Sequence, residues 1–292
     1  LDTINSATNT ITATNYTGAL TVTAKSSELD NSNNAVTITG GTGTSDKLQI
    51  SLDDDDTVIV DAGVTNLETV EFLDGDTANA HTATIATANA SATYTSATNY
   101  QTLTIDGSTF TNDILAVDAV LEVDAKVVVK GGGGADTLQG SASANFGDTI
   151  TGGAGNDTIK FVTGNFTLTD SVDGGDGTDK IKMTAADAVV VDADFTLVTS
   201  VEAIEGGSGT ADLDVTLDTL ADAAGIRTVN LLDATSTGDV VTVKAGFTSA
   251  LTVDLDSIAA AANTVDASLY VGSGITVKAT SAEYVTATST IT

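Results

Sequence analysis

The sequence predicts an all-β fold in which short strands stack on one another as a β-solenoid, with one or two short helices. Three observations predict it. β-Branched residues alternate with polar ones in short runs bounded by Gly, Asn and Asp, the pattern of strands joined by tight turns. The chain holds no Pro, and a proline inside a strand ladder would remove a donor. Segments with the same order of features recur, and a unit of about 25–35 residues with a few strands buries its face only by stacking on neighbours.

The strand signals run from end to end. They include ALTVTA (Ala19 to Ala24), TVIVDA (Thr57 to Ala62), KVVVK (Lys126 to Lys130), DVVTVKA (Asp239 to Ala245) and GITVKAT (Gly274 to Thr280). ATNY occurs at Ala13 to Tyr16 and again at Ala97 to Tyr100, each time shortly before a Leu-Thr strand. A second repeat starts at glycine pairs. GGTGTSDKLQI (Gly40 to Ile50) leads to VTNLETVEF (Val64 to Phe72). GGDGTDKIKM (Gly174 to Met183) leads to FTLVTSVEAIE (Phe195 to Glu205), and GGSGTADLDV (Gly206 to Val215) leads to IRTVNLL (Ile226 to Leu232).

Two Ala-rich stretches, Leu217 to Ala224 and Ser257 to Ala262, read as short helices, the second with Ser257 as its cap. Met183 and the phenylalanines read as core. Loose boundaries fall near Thr77 to Ser96 and near Glu205, dividing the chain into residues 1–96, 97–205 and 206–292. The outer two are β-rich, sandwich-like modules in this reading. Independent modules and one continuous stack both fit the pattern.

Composition bounds the chemistry. Ten Lys and Arg stand against 40 Asp and Glu, a formal charge of −30. Nucleic-acid binding rests on basic residues neutralising phosphates, so the balance excludes it. No apolar run approaches the roughly 20 residues of a membrane helix. The chain begins at Leu1 and is read as a segment of a longer polypeptide. A dense carboxylate surface repels itself unless cations neutralise it, although the same surface also serves as a plain solubility device. With no Cys, thiolate sites are excluded and hard oxygen ligands remain, which points to calcium.

Glycine and acid recur in a fixed beat in the middle of the chain. Gly131 to Gln139 (GGGGADTLQ), Gly152 to Lys160 (GGAGNDTIK) and Gly174 to Lys182 (GGDGTDKIK) all read Gly-Gly-x-Gly-x-Asp-x-aliphatic-x. Glycine lets carbonyl oxygens turn inward, the Asp adds a charged oxygen, and the aliphatic two residues on starts a strand. Asp136 and Asp157 are 21 residues apart, and Asp157 and Asp179 are 22. The spacing predicts a column of Asp136, Asp157 and Asp179 on one edge, with calcium between adjacent turns. Gly131, Gly133, Gly152, Ala154 and Gly174 supply backbone oxygens in this reading. The opposite edge is degenerate: GSASANFGDTIT (Gly140 to Thr151) offers Asp148, and FVTGNFTLT (Phe161 to Thr169) has Phe166 where the acid belongs. Asp170, Asp173 and Asp176 cluster before the third turn. Asp46 and Asp212 sit one residue late in GGTGTSD and GGSGTAD and read as one shared variant. The acid run LDDDDT (Leu52 to Thr57) reads as a solvated face or a peripheral calcium site. His81 reads as solvent-exposed.

These nonapeptides resemble the calcium-binding repeats of RTX (hemolysin-type) proteins, which implies a β-roll with several bound Ca2+ ions. With the long-period repeats and abundant Thr, the chain also resembles bacterial surface-layer (S-layer) proteins of the RTX kind. That resemblance implies type I secretion, an extracellular place on the cell surface, and calcium-dependent assembly with copies of itself into a lattice. It implies attachment to a surface glycan or lipopolysaccharide through another segment.

Catalytic motifs are missing from the sequence. One His permits no His-Glu-x-x-His helix, and there is no Gly-x-Ser-x-Gly elbow. The expectation is therefore a self-assembling structural protein and not an enzyme. The alternatives are an RTX adhesin, or the calcium-folding secretion module of a larger toxin or hydrolase.

Overall fold

A computed structural model describes residues 9–29, 36–52, 57–60, 63–75, 80–85, 101–123, 125–143, 146–162, 164–184, 188–207, 212–231, 238–255, 263–278 and 290–291. The chain forms two compact units, Leu1–Asp157 and Thr158–Thr292. Each is a parallel β-solenoid with turns of about 24 residues.

The first unit has three sheets. One carries six strands in order: Thr21–Lys25, Lys47–Leu52, Thr69–Asp74, Gln101–Asp106, Ala125–Lys130 and Thr149–Ala154. A second carries Thr57–Val60, Ala80–Ile85, Ile114–Asp118 and Thr137–Gln139, and a third carries Asn9–Thr12, Val36–Thr39 and Val64–Thr65. The second unit also has a six-stranded sheet: Thr158–Phe161, Lys180–Met183, Ala203–Glu205, Thr228–Asn230, Leu251–Asp254 and Ile275–Lys278. Beside it run a five-stranded sheet (Ala188–Val190, Leu213–Leu217, Val240–Val243, Thr264–Asp266, Thr290–Ile291) and the pair Ser171–Asp176 with Val198–Thr199.

Alternation in sequence becomes alternation in space. In Lys47–Leu52, Leu48, Ile50 and Leu52 are fully buried while the residues between them are not. Parallel register then stacks like on like: Leu48 lies opposite Val70, and Ile50 opposite Phe72. In the second unit Ile159 faces Ile181, and Ile181 faces Ile204. Each such buried aliphatic contributes roughly 1.5–3 kcal/mol of burial. The core is thus a set of columns running from coil to coil. Met183 and all seven phenylalanines belong to it. Phe161, Phe166 and Phe195 form a tilted and edge-on aromatic series with centroids 5.0 and 5.6 Å apart.

Both flanks pair in parallel, from Asn9–Thr12 with Val36–Thr39 to Thr264–Asp266 with Thr290–Ile291. That corrects the sandwich-like reading, because sandwiches are built from antiparallel strands. Period-two alternation is common to both folds and does not separate them. The helix expected at Leu217 to Ala224 is present as Thr219–Ala224, closed by Gly225 at φ 111°. The helix expected at Ser257 to Ala262, the acid run Asp53 to Asp56, and most of the boundary at Thr77 to Ser96 lie outside the described residues. Glu205 lies within the six-stranded sheet of the second unit.

His81 is corrected too. It is 1% exposed, in Ala80–Ile85, stacked on Phe110 at 5.2 Å with 26° between the rings. Neither ring nitrogen has a hydrogen-bond partner. His81 and Ala83 share the buried parity of their strand, a signal the polar Ala/Thr surroundings hid.

Candidate metal centre

The glycine-rich turns do bring the expected residues of the first unit together. Gly131 N–H donates to Thr151 O at 2.9 Å, Gly133 N–H to Phe110 O at 2.9 Å, and Ala154 N–H to Gly132 O at 2.9 Å. A Cβ on Gly131 would strike the carbonyl oxygen of Gly152 and the carboxylate of Asp136. Close backbone approach therefore demands glycine at this position. At Gly153 and Gly155 the reason is different: φ is +116° and +111°, the region that side chains avoid. Ladder partners are 21 residues apart here, against 26 for Leu20 and Asp46 or Leu213 and Asp239.

Each corner acid stands immediately before a strand and turns inward. Asp136 is 1% exposed. Its Oδ1 accepts the N–H of Leu115, from the preceding coil, at 2.7 Å, and its Oδ2 accepts the N–H of Gly132 at 2.7 Å. The N–H of Asp136 in turn donates to Asp157 Oδ1 at 2.7 Å. Asp136 and Asp157 are thus neighbours in one column, as their spacing predicts. Asp148 belongs to a separate column at the entry to Thr149–Ala154: its Oδ1 accepts Val127 N–H at 3.1 Å and its Oδ2 accepts Ser141 N–H at 2.8 Å.

Asp46 adopts the same geometry despite its one-residue shift. It is fully buried, accepts Leu20 N–H at 2.8 Å and Gly41 N–H at 2.5 Å, and donates its own N–H to Glu68 at 2.6 Å. Asp212 is in a different register. The N–H that bonds the acid of the next coil belongs to Leu213, which donates to Asp239 Oδ1 at 2.7 Å. Asp212 stands one residue before the ladder position and is half-buried. Asp179 belongs to the second unit, is fully buried, and donates its N–H to Glu202 at 2.7 Å. A Cβ on Gly174 would lie 2.6 Å from Asp179 Oδ2. Asp173 and Asp176 are exposed, whereas Asp170 is buried and accepts the N–H of Thr167 at 2.7 Å.

Four members of this system escaped sequence reasoning: Glu68, Glu202, Asp239 and Asn263, the last accepting the N–H of Asp239 at 3.0 Å. The signal was an acid or amide directly before a β-branched run, with or without glycines.

Burial acts on these charges. It pushes the Asp136 carboxyl up to about 6, against the opposing pull of the Gly132 and Leu115 N–H groups. Glu68 is also raised by burial, with the Asp46 N–H pulling the other way and the Asp46 charge adding to the rise.

A hard cation takes six to eight oxygens. Asp46, Asp136 and Asp148 present both carboxylate oxygens to N–H donors instead. Among the described residues, no group of three or more acids or histidines is gathered closely enough to hold a metal. In Asp46, Asp136 and Asp148 the carboxylates cap backbone amides. No protein-family model matches the chain, and no curated protein or solved structure matches it.

Proposed function

We propose that the chain is a structural protein of the bacterial cell exterior, a solenoid that assembles with copies of itself in a surface-layer lattice. The observation that carries this reading is the carboxylate ladder. In both units, conspicuous acids that could have served chemistry bond backbone N–H groups of neighbouring coils. Calcium acts in this reading as a counter-ion to exposed acids such as Asp173 and Asp176. A charge of −30 opposes association of like copies, and divalent cations relieve that repulsion.

The test is assembly of the purified chain with millimolar calcium against chelator, read by electron microscopy and by thermal melting. Ordered sheets that form with calcium and disperse with chelator support the reading. Monomers under both conditions, with an unchanged melt, overturn it.

A further inference from the structure

The chain's ten basic residues are not scattered. Four stand on the outward face of the six-stranded sheet of the second unit: Lys160, Lys180, Lys182 and Lys278. The acids on that face are Glu205 and Asp254. The six-stranded sheet of the first unit repeats the composition, with Lys25, Lys47, Lys126 and Lys130 against Glu71 and Asp106. In an acid-rich chain, each unit therefore has one sheet face with a surplus of positive charge.

Pairing within the second face leaves one lysine over. Glu205 accepts from both Lys180 at 2.9 Å and Lys182 at 2.5 Å. Lys278 lies 3.7 Å from Asp254. Lys160 has no acid partner among the described residues, and it stands directly across the ladder from Lys182. Like charges opposite one another destabilise a sheet. Lys160 therefore faces a like charge and not an acid.

We infer that this face, centred on Lys160 and Lys182, docks onto an acidic surface of a second copy of the chain. The inference rests on the self-assembly reading and gives it a location. Charge complementarity selects the occupant: each copy carries a large excess of acid, and the lysine face is where another copy's acids meet opposite charge. Such a contact joins unlike surfaces, so its repetition gives a ring where the rotation closes and an open array where it does not.

The substitution Lys160→Glu separates docking from folding. It puts a carboxylate opposite Lys182, so the melt of the intact chain should hold or rise. Assembly in calcium, read by sedimentation velocity and electron microscopy, should fall by at least about tenfold. A Lys160→Glu protein that assembles like the unsubstituted chain overturns the inference and leaves the self-assembly reading standing. An unsubstituted chain that never assembles overturns both. A monomeric chain that binds heparin through Lys160 assigns the face to an anionic polysaccharide and also overturns the inference.

Discussion

The backbone N–H of Asp136 donates to the Oδ1 of Asp157, 21 residues later, at 2.7 Å. Asp136 uses its own carboxylate in the same way on the coil before, so each acid is both a capped residue and a cap. A parallel sheet bonds strand to strand, but at a corner an N–H near the strand entry needs another acceptor. The column supplies it from the adjacent coil.

Removing one rung should therefore expose its donors. In Asp136→Ala the N–H groups of Leu115 and Gly132 lose the acceptors they use. Buried unsatisfied groups cost about 1–3 kcal/mol each, so the loss in urea unfolding should be about 2–4 kcal/mol. A loss below about 0.5 kcal/mol, the range of ordinary surface substitutions, would mean that the column is incidental.

Acid titration gives the ladder a sign. The Asp136 carboxyl is raised from 3.8 to about 6 by burial. Between those values the folded chain holds a proton that the unfolded chain has released. The stability from this group is complete below the lower value and is lost as pH rises through the upper one. The advantage of the unsubstituted chain over Asp136→Ala should then shrink as pH rises from about 4 to about 6.5. An advantage that grows over that interval would show that the amide donors outweigh burial.

The aliphatic two residues after each acid was legible in sequence: Leu138, Ile159 and Ile181 are all buried. So were the tight glycine turns and the column of Asp136 and Asp157. What faces the acids was not legible. Ligation and capping both need a carboxylate at a corner, and the donors come from a coil 21 residues away in sequence. Asp46 and Asp212 look alike as letters, but Asp46 stands at the ladder position and Asp212 one residue before it. The difference lies in which residue reaches the strand entry first.

Glycines should differ sharply in their tolerance. A Cβ on Gly131 meets backbone and carboxylate oxygens that other bonds already hold in place, whereas one on Gly206 meets its nearest atom at an ordinary 3.5 Å. Gly131→Ala should lose about 1–3 kcal/mol, in the range of overpacked cores. Gly206→Ala should be neutral or gain up to about 1 kcal/mol from a stiffer unfolded chain. Equal effects on the two melting curves would contradict this account of the turn.

His81 offers a stabilising change. Both ring nitrogens are buried without partners, and the strand across the ladder contributes Leu115. Leu at position 81 keeps apolar contact with Phe110 and removes the unmet polar groups. His81→Leu should raise stability by ~1–2 kcal/mol, a few degrees in melting temperature. A lower melting temperature would indicate that the ring packs better than its polar atoms cost.

The short helix Thr219–Ala224 is capped from another coil. Its own N-cap residue, Asp218, makes no side-chain cap bond. Asp192 supplies the acceptors instead. Its Oδ1 takes the N–H groups of Asp218 at 2.8 Å and Ala221 at 2.9 Å, and its Oδ2 takes that of Leu220 at 3.2 Å. A helix of 6 residues is too short to stand on propensity, so its first turn depends on this carboxylate. Asp192→Ala should cost about 1–2 kcal/mol, the upper range for a lost cap. Asp218→Ala should cost less, because its backbone N–H, and not its carboxylate, meets Asp192. Amide exchange at Leu220 and Ala221 reads the effect directly: it should quicken in Asp192→Ala and change little in Asp218→Ala. The reverse order would place the cap on Asp218 and remove the helix from the coil-to-coil ladder.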